Sequence, residues 1–206
     1  MNILNSLRFH VIRFLSMKKC KSNKNFDKSA IYLTFDDGPE PGITEFILDE
    51  LKKYNAKGTF FCKGENCVNN PSLAARIKEE GHTIANHSFS HINGCQTPFG
   101  KYIEDVERCE EVTRTHLFRP PWGQLTFRLF FNLAKKYNIL LWDIASGDTQ
   151  MQNFDLTKNM QSLERNTRPG SIVLFHFCKT HENETRELLP LYLQYLDKNG
   201  YRMLAL

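Results

Sequence analysis

Two adjacent carboxylates, Asp36 and Asp37, stand at the end of the apolar run Ile31-Tyr32-Leu33-Thr34-Phe35 and run into a Gly38-Pro39 turn. Fifty residues on, His87 and His91 place two imidazoles four apart in Asn86-His87-Ser88-Phe89-Ser90-His91. One carboxylate and two imidazoles can close a three-donor site on a divalent ion that keeps a position open for water, the layout of a hydrolytic metal centre. Singly these are weak signals. Asp-Asp-Gly-Pro is an ordinary turn, and among seven histidines an i, i+4 pair arises by chance.

The elements that must position these residues are legible as an alternation of short apolar runs with amphipathic stretches. Candidate strands are 31–35, 59–62, 83–86, 117–119, 140–143, 172–176 and 201–206, and candidate helices are 44–54, 72–80, 102–113, 126–137, 156–165 and 185–198. Strands separated by helical patterns imply right-handed βαβ units and a parallel sheet. Seven of them can build an open doubly wound sheet or an irregular (β/α)7 barrel related to the TIM barrel, with parallel strands and outer helices. The reactive residues favour the barrel. Asp36 and Asp37 follow the first strand, His87 and His91 the third, Arg119 ends the fourth, Asp143 and Asp148 follow the fifth, and His176 ends the sixth. A barrel opens all of those strand ends on one face, whereas an open sheet gathers ligands at a single switch point.

Length and composition narrow the classes. A chain of 206 residues is expected to form one α/β domain, residues 29–206, behind a basic amphipathic extension, residues 1–28. A net charge of +4 with no basic block beyond residues 17–24 argues against a nucleic-acid binder. Six cysteines form no CxxC pair and lack the density of a secreted scaffold, so free thiols in a reducing, cytoplasmic compartment are expected. Near the N-terminus Leu4, Leu7, Val11, Phe14 and Leu15 recur at helical spacing, interrupted by Arg8, His10 and Arg13. That leaves no apolar run of signal-peptide length and no span long enough to cross a bilayer. The expectation for this segment is peripheral contact with an anionic membrane surface, packing on its own domain, or disorder ahead of a start at Met17.

Taken in order, Thr34-Phe35-Asp36-Asp37-Gly38-Pro39, His87-Ser88-Phe89-Ser90-His91, Arg119-Pro120-Pro121-Trp122-Gly123 and Leu174-Phe175-His176 change the odds. From about residue 30 to 206 the chain resembles the NodB-type polysaccharide deacetylases, carbohydrate esterase family four, whose members share TFDDGP, HSxxH or HTxxH, RxPxG, DxxDW and LxH segments. The resemblance implies a metal-dependent hydrolase of an acetylated saccharide, with N-acetylglucosamine-type units favoured. Asp37, His87 and His91 would hold one divalent ion, Zn²⁺ first, with Co²⁺, Ni²⁺, Fe²⁺ or Mn²⁺ as alternatives. Asp36 would be the base, oriented by Arg119, and His176 the general acid, kept charged by Asp148. The Trp122 backbone N–H would face the oxyanion and Leu174 the acetyl methyl.

The fourth segment departs from the pattern, reading Ala145-Ser146-Gly147-Asp148-Thr149 without the first acid and the tryptophan. Asp143 is a candidate stand-in for that acid, and Trp142 or Trp122 for the aromatic. Cys178 is expected near the site as an incidental thiol, and His10, His82, His116 and His181 as exposed or hydrogen-bonded bystanders. Two other readings stay open. The damaged segment permits a sugar-binding protein of the same fold with lost activity, and two histidines with one carboxylate also form non-haem Fe(II) sites.

Overall fold

All five residues of β1 (Tyr32–Asp36) are buried, as in a strand covered on both faces. Side chains alternate across it. Leu33 and Phe35 share a core cluster with Ile47, Leu48 and Leu51 of α2 (Ile43–Lys53) and with Leu188 and Tyr192 of α8 (Glu182–Lys198). Thr34 and Asp36 therefore face inward, where both meet the guanidinium of Arg119.

The computed structural model describes residues 3–206, with side-chain surroundings from residue 6. Six further strands join β1: β2 (Gly58–Cys62), β3 (Thr83–Asn86), β4 (Leu117–Phe118), β5 (Asn138–Ile139), β6 (Ile144–Ala145) and β7 (Ile172–His176). All pairings are parallel and the order is β5-β4-β3-β2-β1-β7-β6, which is chain order around a barrel whose seam lies between β5 and β6. The remaining helices are α1 (Ile3–Lys21), α3 (Gly64–Asn69), α4 (Pro71–Glu79), α5 (Phe99–Thr113), α6 (Phe127–Leu133) and α7 (Leu156–Asn166).

The expected irregular seven-stranded barrel is present, but two of the seven segments expected as strands, 140–143 and 201–206, are not among them. Residues 140–143 cross the seam instead of forming a strand: Leu140 N–H donates to Phe118 on one side and Asp143 N–H to Ile172 on the other. The apolar tail at 201–206 reads as a strand yet makes a single bridge, Met203 to Ile31. It straps the N-terminal ends of several strands, with Lys57 N–H donating to Met203 and Leu206 N–H to the Thr59 hydroxyl. The six-residue α3 carries no periodic apolar signal, and sequence reading passed over it.

Helix α1 lies against the seam. Ile12 enters a cluster with Phe118, Leu129 and Leu141, and Met17 one with Tyr32, Phe61 and Leu140. Arg13 donates to the Asp143 carbonyl at 3.0 Å and Lys21 pairs with the Asp143 carboxylate at 2.6 Å. Close approach at the rim end requires glycine at position 123, since a Cβ there would sit 2.6 Å from the Phe9 ring and φ is +67°. The residues that periodicity picks out, Leu7, Phe14 and Leu15, are on the other side and exposed. Among the described residues no helix is long and apolar enough to cross a membrane, and all six cysteines are unpaired.

Candidate active site

Asp36 ends β1 inside the barrel, 3% exposed, so its charge needs a partner. Arg119, fully buried at the end of β4, supplies it: Nη1 donates to Asp36 Oδ1 and to Thr34 Oγ1, each at 2.8 Å. Nε and Nη2 donate to the Leu140 and Leu141 carbonyls, both at 3.2 Å, and the guanidinium lies 3.9 Å above the Phe61 ring. Replacing Arg119 with alanine would leave a buried carboxylate and two carbonyls unpartnered. Arg119→Ala is expected to lose about 3–5 kcal/mol in denaturant unfolding, and Arg119→Lys to recover only part, because one ammonium cannot reach four acceptors. A loss below about 1 kcal/mol would contradict this account.

The next residue turns away from the strand. Asp37 has φ +87°, a conformation Asp tolerates better than most residues, and Asn66 of α3 donates to its carbonyl at 2.9 Å. Ser88 (+62°), His91 (+54°) and Trp122 (+53°) are also left-handed, so four of the six described non-glycine residues with positive φ border one mouth. The ligand atoms of Asp37, His87 and His91 all lie within 4.8 Å of one another. Asp37 Oδ1 is 2.9 Å from His91 Nε2 and 3.5 Å from His87 Nε2.

The His87 contact is not a hydrogen bond. His87 Nδ1 lies 2.7 Å from the Arg119 carbonyl, so Nδ1 carries the proton and Nε2 turns a lone pair toward Asp37. Asp37 Oδ1 is buried without a hydrogen-bond partner among the described residues. Acceptors facing one another in a closed space call for a cation. Donors each about 2.0–2.1 Å from a tetrahedral Zn²⁺ stand about 3.3 Å apart, close to the spacing found. Burial opposes the Asp37 charge, but with both imidazoles protonated His87 and His91 donate to it and hold its carboxyl well below the usual range, so the carboxylate is ionised as a ligand must be.

Across the mouth, His176 ends β7 as the register partner of Asp36. Its Nδ1 is 3.0 Å from Asp148 Oδ1, while its backbone N–H and the Thr185 hydroxyl donate to Oδ2 at 2.7 and 3.1 Å. Burial works against a charged imidazole; Asp148, with Asp37 and Asp36 behind it, outweighs this and pushes His176 up to about 9. Trp122 lines the rim, 53% exposed, with its ring 4.3 Å from that of His91. Leu174 is buried beside Thr34 and Ala145 in the ladder, on the floor.

A family model described as polysaccharide deacetylase matches residues 23–142. This chain belongs to the polysaccharide deacetylase family. Among curated proteins it is similar to two peptidoglycan-N-acetylglucosamine deacetylases of Bacillus cereus. One is 31% identical over 186 residues, 87% of each chain. The other is 34% identical over 158 residues, 73% of this chain but only 57% of that relative's length. Among solved structures it resembles a peptidoglycan N-acetylglucosamine deacetylase in complex with a naphthalenyl N-oxidanyl-benzamide, at 30% identity and a TM-score of 0.81, covering 88% of this chain and 87% of that one.

The deacetylase fold thus brings together the nine residues singled out from sequence, and it corrects three secondary readings. Asp143 cannot replace the missing acid: its carboxylate accepts from Ile172 N–H at the start of β7, about 13 Å along the strand from His176. Trp142 is packed beneath the Trp122 turn, 5.7 Å from the Phe9 ring, leaving Trp122 as the aromatic at the mouth. His181 is not a bystander, since its ring meets that of His176 at 5.3 Å with Nδ1 buried and unpartnered. Cys178 is near, 4.0 Å from Asp37 Oδ2, but burial pushes its thiol up to about 12, and it is no nucleophile. Asn66 and Thr185 went unseen because polar residues on helices carry no periodic signal. Thr34 was findable, two residues before Asp36 on the same face.

Proposed function

We propose that this chain is a metal-dependent hydrolase that removes acetyl groups from an acetylated saccharide, the N-acetyl of N-acetylglucosamine-type units first. The observation that carries the reading is the acceptor cluster of Asp37, His87 and His91 beside a carboxylate and an Asp148-bound imidazole on adjacent strands. The donor set of one carboxylate and two imidazoles suits Zn²⁺ best. When bound, such an ion lowers the pKa of water from 15.7 to about 7 and polarises an acyl carbonyl.

The chain's own groups divide the proton work. Arg119 occupies Oδ1 of Asp36, leaving Oδ2 to take a proton from the attacking water. Asp148 holds Nδ1 of His176, which directs Nε2 to protonate the departing amine. The Trp122 N–H assists at the oxyanion and Leu174 bounds the slot for the acetyl methyl. A sugar-binding protein would need neither acid nor base, and here both are held in working order, which weighs against lost activity. Six unpaired thiols fit work in a reducing compartment.

The test is acetate release from a panel of N- and O-acetylated glycans, with chelator and with each divalent metal restored. Release from N-acetylglucosamine oligomers that stops with chelator and returns with Zn²⁺ is expected. A protein loaded with Zn²⁺ that frees no acetate from any member would overturn the reading.

A further inference from the structure

The outward stripe of α1 has no partner among the described residues of the fold. Leu7, Phe14 and Leu15 are 62%, 65% and 38% exposed, and half-buried Val11 lies between them at helical spacing. Ile12, Ser16 and Met17 on the opposite side hold the helix to the barrel, so α1 is apolar on two sides and packs with one.

The charge around that stripe is predominantly positive. Residues 1–26 contain six Lys or Arg and no Asp or Glu, and Lys18, Lys19 and Lys24 are exposed. Residues 112–142, which supply the neighbouring α6 and β5, contain five Lys or Arg and again no acid; Arg119 is buried on Asp36 and Lys136 pairs with Glu110 and Glu107, leaving Arg114, Arg128 and Lys135. The rest of the chain has 16 basic residues against all 23 acidic ones. Asp143, an acid within reach of α1, is already paired with Lys21. An apolar stripe flanked by lysines, on the acid-poor side of an otherwise acidic protein, matches the interface of an anionic bilayer, where side chains insert and lysines meet headgroups.

We propose that this face of α1 docks the protein on anionic lipid, with the helix lying in the membrane surface. Phe9 beside Gly123 sets the start of α1 at the catalytic rim, so docking here puts the mouth next to the bilayer. The inference stands independently of the deacetylase reading.

Cosedimentation of the full chain with phosphatidylglycerol and with phosphatidylcholine vesicles tests it. The wild type is expected to bind the former, weaken as salt is raised, and leave the latter unbound. Leu7→Glu and Phe14→Glu are each expected to cut binding about tenfold or more, with unfolding temperature and turnover of soluble substrate unchanged. The pair Lys18→Glu with Lys19→Glu is expected to do the same through charge. Equal binding to both vesicle types, no binding to either, or wild-type binding by both apolar variants would overturn the proposal. So would a dimer lost in these variants without any vesicle binding, which would assign the face to a second copy of the chain.

Discussion

His87→Ala and Asp37→Asn are each expected to give a folded protein that holds no stoichiometric divalent ion and whose acetate release falls by more than about 10⁴-fold. The effect exceeds any other in the site because losing a donor removes both the activated water and the polarised carbonyl, whereas losing one acid or base typically costs about 10²- to 10⁴-fold. Asparagine is the better replacement at position 37, where φ is +87°: alanine there would add backbone strain that has nothing to do with the ion. Metal content by elemental analysis, read beside a thermal melt, separates lost binding from lost folding. Stoichiometric zinc in either variant would contradict the assignment of these ligands.

The second large effect belongs to the imidazole across the mouth. His176→Ala and Asp148→Asn are expected to keep the ion and lose about 10²- to 10⁴-fold in kcat. Asp148→Asn also has a signature in pH. In the wild type His176 is raised to about 9, so its acid form persists through neutral pH and the alkaline limb of kcat lies above neutral. Without the carboxylate, the strongest support for the charged imidazole is gone while burial still opposes it, so that limb moves to lower pH. Stability follows the same sign. A raised histidine contributes stability that is fully present below 6.5 and is lost as pH climbs through about 9. In chelator, the advantage of wild type over Asp148→Asn should therefore shrink across that interval. An alkaline limb left in place by Asp148→Asn would remove His176 as the acid.

The acetyl-sugar reading and the lipid-docking reading meet at one place on the molecule. The rim that carries Trp122 also seats the start of α1, through Gly123 and Phe9. Their tests remain separate, since vesicle binding reads α1 and acetate release reads the barrel interior.

What the amino-acid order determined by itself was local. Alternation along β1 puts Thr34 and Asp36 on one face and Leu33 and Phe35 on the other, a parity that needs no knowledge of neighbours. Parallel strands joined by helices then place every strand's end at one mouth, which is why Asp36, His87, Arg119, Asp148 and His176 could be gathered before any coordinates. Tertiary structure decided the rest, wherever an outcome depends on how the sheet ends. Residues 140–143 look like a strand because they are apolar, but the seam opens there, and Asp143 falls to the far end of β7 to hold α1. Residues 201–206 look the same and become a strap. The sense in which α1 faces the barrel was likewise undecided by its periodicity, since both of its sides are apolar and only packing against Phe118 and Leu141 selects Ile12 over Leu7 and Phe14. The lone-pair opposition at Asp37 needed the Arg119 carbonyl in place, a contact spanning 32 residues that no local pattern encodes.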